Sequence, residues 1–218
     1  MAAPTTIFDQ QFSDQLAYQQ ALSMSEADRI FHFFGRHPLF RWSDANNDCE
    51  DRANAICMLL DKWNIPNAKA WVFGGAYLKR DAGCLTNNWA YHVAAALPVS
   101  VDDRVVYCVI DPATLTRMTN ISEWAGSVTQ TACSHYLIKE GRYYIFNPTS
   151  MAATAWHPRD RRNYKWTIQG LAGINGVSRK GKAQLVFRKR HIADTEGKFK
   201  RLLVSNQVFK TKKKTAQR

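Results

Sequence analysis

The sequence predicts an α+β domain in which a cysteine-bearing helix packs on a mainly antiparallel sheet. Three observations lead there. Apolar residues between Phe8 and Trp63 recur at three- and four-residue steps, the period of a buried helical face. From Lys69 onward the chain changes to short runs rich in Val, Ala, Ile and Tyr, bounded by Pro, Asp, Asn and Gly. The connections between several of these runs are too short for a crossover helix, so their neighbours must run antiparallel. With 218 residues, 45% of them hydrophobic, there is enough apolar surface for a sizeable core.

Residues 8–34 read as helical. Phe8, Phe12 and Leu16 recur at steps of four, and Ser23-Met24-Ser25-Glu26 marks a second start, with Ser23 or Ser25 as N-cap. Phe31, Phe33, Phe34, Phe40 and Trp42 follow as an aromatic cluster, in which Gly35 and Pro38 mark the way out of the helix. The next helix is the clearest. Ala53, Ile56, Cys57, Leu60 and Trp63 keep the helical period, Asn46, Asn47 and Asp48 supply caps, and Asn64-Ile65-Pro66 stops it. Steps of four, three and four link Cys49, Ala53, Ile56 and Leu60, which puts Cys49 in the first turn on the buried face.

Strands are expected at Lys69–Leu78, Trp89–Leu97, Arg104–Asp111, His135–Lys139 and Arg142–Asn147, the last two forming a hairpin about Glu140-Gly141. Two more are expected at Ala183–Arg190 and Arg201–Val208, after a glycine-rich loop from Gly170 to Gly181. The division that follows is an N-terminal helical region (1–44), a catalytic core (45–150), a basic β-rich extension of the same domain (151–209) and a disordered basic tail (210–218).

The chemistry concentrates in three residues. The first turn of a helix presents N–H groups without intrahelical partners and the positive end of the dipole, and both favour a thiolate at Cys49. Asp48, Glu50 and Asp51 oppose this unless they point away, so activation calls for an imidazole, and His92 is the candidate. If Pro98–Asp103 is a six-residue loop, Leu97 pairs with Arg104 and His92 with Val109, which places Asp111 on the His92 face one diagonal step away. A carboxylate there can hold the imidazole's orientation and its charged form. On the same face Ala90, Ala94 and Ala96 are small, which would let the Cys49 helix approach closely. The plain alternatives are an inert core cysteine, a structural histidine and a simple Asp-Pro turn; order, spacing and parity together favour a Cys-His-Asp triad. Cys57 and Cys108 fit inert core positions.

A cysteine at a helix start, a histidine on a following strand and a polar residue on the next resembles the papain- and transglutaminase-like cysteine enzymes. More narrowly, Asp48-Cys49-Glu50-Asp51-Arg52-Ala53-Asn54, Trp89-Ala90-Tyr91-His92-Val93-Ala94 and Val109-Ile110-Asp111-Pro112 resemble the protein-glutaminase family over residues 45–115. That resemblance implies a hydrolase: a protein glutamine deamidase converting glutamine to glutamate plus ammonia through a thioester. Cys49 would be nucleophile, His92 general base and acid, and Asp111 the orienting carboxylate. Trp42 and Trp89 are candidate walls of the substrate slot, or core. No cofactor is implied. No Cys/His spacing suggests a zinc site, Cys133-Ser134-His135 coming nearest. The same scaffold also serves a cysteine peptidase, an amidase or a transglutaminase.

Charge is uneven. Residues 1–150 hold 12 Lys+Arg against 15 Asp+Glu, and residues 151–218 hold 18 against 3. The basic third reads as a solvated face, as a surface for an acidic protein partner, or as a nucleic-acid-binding module in which Tyr164, Trp166, Phe187 and Phe199 interleave with basic residues. No run is long enough for a membrane span, and the first residues lack a secretory leader pattern. The expectation is a cytoplasmic protein, or a bacterial effector or toxin exported without a leader into another cell.

Overall fold

Ser23 opens the first helix by a reciprocal cap: its side chain accepts from the Glu26 N–H at 3.3 Å, and Glu26 accepts from the Ser23 N–H at 2.9 Å. In this computed structural model, which describes residues 21–43, 49–73, 91–128, 135–141, 143–147, 152–155, 161–174, 180–206 and 208, α1 runs Met24–Arg36. The helical reading of 8–34 is thereby narrowed. Ser23 is extended, and Leu22–Ser23 (β1) lies parallel to Val99–Ser100, while residues 1–20 fall outside the described residues. The helix ends at His37, whose extended backbone suits the position before Pro38.

Helix α2 (Cys49–Lys62) is buried from Arg52 through Leu60, on every face rather than one stripe. It packs between the sheet and a later helix, and its expected caps at 46–48 lie outside the described residues. The sheet has β2 (Ala68–Phe73), β3 (Tyr91–Val101), β4 (Arg104–Ile110), β5 (Thr119–Asn120) and β6 (His135–Glu140), in the order β5-β4-β3-β2-β6, with β1 beside β3. Every pairing on that path is antiparallel, as expected.

The β3–β4 connection is tighter than the six-residue loop. Asp102 and Asp103 form a two-residue turn with φ of 46° and 60°, the left-handed pair that matches strand twist. Pro98, which suggested a strand end, stands inside β3 opposite Tyr107, beyond the last β2 pairing at Ala96. Leu97 therefore pairs with Cys108 instead of Arg104, a shift of four residues. An even shift leaves every side chain on its expected face.

The two faces carry different cores. Ala95, Leu97, Val99, Cys108 and Ile110 pack with α1 and α2. Ala94, Ala96 and Val109 pack with Ile121, Trp124, Ala125 and Val128 of α3 (Ile121–Val128). The alanine face thus admits α3 and its tryptophan; the Cys49 helix lies on the other side, where its larger apolar residues find Leu97 and Val99.

Three further expectations are corrected. β6 pairs with β2, and β7 (Tyr143–Asn147) pairs with β8 (Ala152–Ala155) in a separate sheet, so Glu140-Gly141 does not close a hairpin. Gly141 instead docks on the α2–β2 corner, where its N–H donates to the Asn67 carbonyl and a Cβ would collide with the Asn67 side chain at 1.7 Å. Gly170 ends α4 (Arg161–Leu171) rather than opening a loop. The two strands expected at 183–190 and 201–208 are one helix, α5 (Lys182–Val204), so the described residues of the extension are mainly helical and not β-rich. Its buried residues, Arg188, Thr195, Phe199 and Leu202, follow at steps of seven, four and three, while the strand-like run Leu185-Val186-Phe187 is exposed.

Candidate active site

Cys49 is the first residue of α2 and reaches the sheet where β3 runs past its neighbour. The β4 ladder meets β3 only from Ala95 onward. Just past that end, the amide joining His92 to Val93 donates a hydrogen bond to the Cys49 sulfur. Helix and histidine thus meet at the open end of the strand pair, although α2 packs on the face opposite the His92 side chain.

His92 and Asp111 stand as the parity argument requires. Ala94 is the position opposite Asp111 if the ladder is continued by one pair, so His92 is its diagonal neighbour. His92 Nε2 lies 2.8 Å from Asp111 Oδ2, with both side chains 2% exposed. Sequence reasoning missed two partners of this carboxylate: the Trp124 indole N–H donates to Oδ2 at 3.1 Å, and the Thr114 hydroxyl donates to the same atom. Trp124 also covers the imidazole, with ring centroids 5.6 Å apart. Burial by itself would raise the Asp111 pKa. The adjacent His92 and the donated hydrogen bonds outweigh it and hold the carboxyl below its ordinary value.

The thiol moves the other way. Burial, and then the Glu50 charge, push Cys49 well above its ordinary pKa, while the Val93 N–H and the Arg52 guanidinium pull it back. Of the neighbouring acids, Asp51 turns toward α4, where Gly170 leaves room for its carboxylate. Glu50 stays, accepting from the thiol at 3.5 Å and from the Tyr91 hydroxyl. Cys57 and Cys108 are buried in the core, with the thiols raised to about 12 and about 11, chiefly by burial. Cys84 and Cys133 lie outside the described residues.

Of the two tryptophans expected at the site, Trp89 is outside the described residues. Trp42 is half-buried: its indole N–H donates to the Phe34 carbonyl at 2.9 Å, it stacks on Phe40, and Arg52 lies over its ring at 5.5 Å. It also lines a cleft of about 650 Å³ with Arg36, His37 and Arg41. Among the described residues no group of three or more His, Cys, Asp or Glu could hold a metal. No helix among them is long and apolar enough to cross a membrane.

The frame is an α+β fold that brings Cys49 near a buried His92–Asp111 pair, and the comparisons name the family. The sequence model of a family described as Glutaminase matches residues 10–128, more than half of this chain, and the chain belongs to that family. It is a hydrolase that deamidates glutamine. Among solved structures it is similar to the NMR structure of protein-glutaminase from Chryseobacterium proteolyticum, at 17% identity and a TM-score of 0.57, over 71% of this chain and 88% of that one. A crystal structure of protein-glutaminase agrees to the same coverage and identity with a TM-score of 0.58. The A47Q2 mutant of pro-protein-glutaminase follows at 18% identity and a TM-score of 0.57, over 74% of this chain and 62% of that one. At such identities the likeness is one of fold. Comparison with curated protein sequences finds none that matches.

Proposed function

We propose that this chain deamidates glutamine side chains in proteins, with Cys49 as nucleophile, His92 as the proton-transfer group and Asp111 as its orienting carboxylate. One observation carries the assignment: a buried His92–Asp111 pair at 2.8 Å stands directly beside the amide that donates to the Cys49 sulfur. The fold shared with protein-glutaminases supports protein-bound glutamine as substrate.

In the resting enzyme the thiol is neutral, because burial and Glu50 disfavour its anion. With Nε2 on Asp111, the buried Nδ1 is the ring nitrogen that takes the thiol proton. The sulfur then attacks the carboxamide carbon and forms an S–C bond as the carbonyl π pair moves onto oxygen. N–H groups of the first turn of α2 are proposed to receive that oxyanion. The imidazolium returns its proton to the nitrogen, the C–N bond breaks and ammonia leaves, giving a thioester. Water adds to it with His92 as base, the S–C bond breaks, and glutamate departs while the thiol is restored. Asp111 compensates the imidazolium charge throughout. Trp42 and its cleft are proposed as one wall of the approach. The basic surface of α5, which exposes Lys182, Lys189, Arg190, Lys198 and Lys200, is proposed to dock an acidic substrate protein.

Ammonia release from a glutamine-containing protein, with the backbone intact, is the test. Cys49→Ala should abolish it, and His92→Ala should lower it by about a hundredfold or more. Peptide cleavage or amine incorporation in place of ammonia release would assign a peptidase or a transglutaminase instead.

A further inference from the structure

Glu50 and Tyr91 stand outside the triad yet flank its sulfur. Glu50 Oε2 is 3.5 Å from Cys49 Sγ, and Oε1 accepts from the Tyr91 hydroxyl. Burial and the Glu50 charge raise the Tyr91 pKa, so the hydroxyl keeps its proton and donates. Glu50 and Tyr91 are half-buried, whereas Cys49, His92 and Asp111 are buried. Beside the sulfur these two side chains are therefore more exposed than the triad residues. A carboxylate here also works against the thiolate.

We propose that the Glu50 carboxylate, held in place by Tyr91, receives the –NH2 of the substrate's carboxamide and thereby selects primary amides. This rests on the reading of Cys49 as nucleophile. The chemistry of the groups favours it. A carboxylate only accepts hydrogen bonds, and a primary carboxamide offers two N–H donors on the nitrogen that must leave. His92 delivers its proton to the lone pair of that nitrogen, so the N–H groups remain for other acceptors. As the C–N bond breaks and the nitrogen gains a proton, its N–H groups become those of a cation. Their bond to Glu50 becomes charge-assisted and strengthens toward the transition state, which is the condition for raising the rate. A peptide nitrogen carries a carbon where the second N–H would be. Against Glu50 it would bury a carboxylate oxygen on an apolar group, which is unfavourable. An ester has no N–H to offer.

The test compares two blocked peptides with the same γ-acyl group, one carrying glutamine and the other glutamate γ-methyl ester at that position. In Glu50→Gln, Tyr91 donates to the remaining carbonyl oxygen and turns the new NH2 toward the substrate's own NH2. The ratio of amide to ester kcat/KM should then fall about tenfold to a hundredfold. Tyr91→Phe, which loosens the carboxylate without removing it, should lower the ratio in the same direction by a smaller factor. Glu50→Asp should recover part of the loss. A ratio unchanged in both Glu50→Gln and Tyr91→Phe would overturn the proposal and leave the triad standing, because Glu50 would then act on the thiol and not on the leaving group. Turnover of both peptides by Cys49→Ala would instead overturn the nucleophile assignment, and this proposal with it.

Discussion

At the residue scale the site turns on one oxygen. Asp111 Oδ2 receives His92 Nε2, Trp124 Nε1 and the Thr114 hydroxyl, so its negative charge is held by three donors inside the protein. Removing one of them loosens the imidazole without touching the sulfur. Thr114→Val and Trp124→Phe should each lower kcat about tenfold with little change in KM, as read from steady-state ammonia release. The positions of Cys49, His92 and Asp111 were legible, because residue type, helix-start position and strand parity are local properties. Thr114 had a weak local signal, standing three residues after Asp111 in a turn where its N–H donates to the Asp111 carbonyl at 3.0 Å. Trp124 had none. A second buried group makes a pH prediction. Lys69 is buried, donates to Asn54 Oδ1 at 2.9 Å, and burial lowers its pKa to about 8. The unfolded chain holds this proton up to about 10.4, so between the two values the unfolded state binds more protons and stability rises with pH. The penalty is fully present below about 8 and is relieved as pH climbs toward about 10. Thermal unfolding between these limits should show the rise, and Lys69→Met should flatten it.

At the element scale α2 is the axis. Its N-terminus supplies Cys49, its buried length fills the core between sheet and helices, and polar contacts lock it to α4. Asn54 Nδ2 donates to Thr167 Oγ1 at 2.6 Å, and Asp51 sits against Gly170, where an added Cβ would lie 1.9 Å from Oδ2 and 2.6 Å from the Asp51 Cβ. Gly170→Ala should therefore force α2 and α4 apart and cost about 1–3 kcal/mol by denaturant unfolding. Because the displaced carboxylate belongs to the first turn of α2, thiol alkylation rates at Cys49 should shift as well. Helix α5 is anchored by Phe199 and Leu202 in the main core, and the Trp63 indole N–H donates to the Leu202 carbonyl at 3.1 Å. Phe199→Ala should cost about 3–5 kcal/mol. This helix was the element least legible in the sequence. Val186 and Phe187 resemble a strand until one knows that they face solvent while Arg188, beside them, is buried and donates to the Ile174 carbonyl at 2.5 Å.

At the scale of the whole molecule, the net charge of +12 hides a nearly balanced first part and a strongly basic last third. Helices α4 and α5 of that third place Ile168, Leu171, Phe199 and Leu202 in the same core as α1 and α2. The basic residues they expose therefore belong to elements packed into the same core as the helix that carries Cys49. If they dock an acidic substrate, raising ionic strength from about 50 to 200 mM should raise KM for an acidic protein substrate and leave KM for a blocked glutamine peptide nearly unchanged. Salt-sensitive binding to a polynucleotide, with no such effect on KM, would point to a nucleic-acid partner for this surface. The expected tail at 210–218 lies outside the described residues.

The amino-acid sequence by itself determined which three side chains could form the site and that two of them share a sheet face. Helical period and strand alternation are local, and an even shift in register leaves them intact. That is why the His92–Asp111 pairing survived a loop four residues shorter than expected. Only the tertiary structure decided which layer each face meets: α2 against Leu97 and Val99, and Trp124 against Ala94 and the His92–Asp111 pair. It alone brought Thr167 to Asn54 across 113 residues and Tyr91 to Glu50 across 41. Contacts of that span depend on how layers stack, and no pattern along a single segment records the face its neighbour will present.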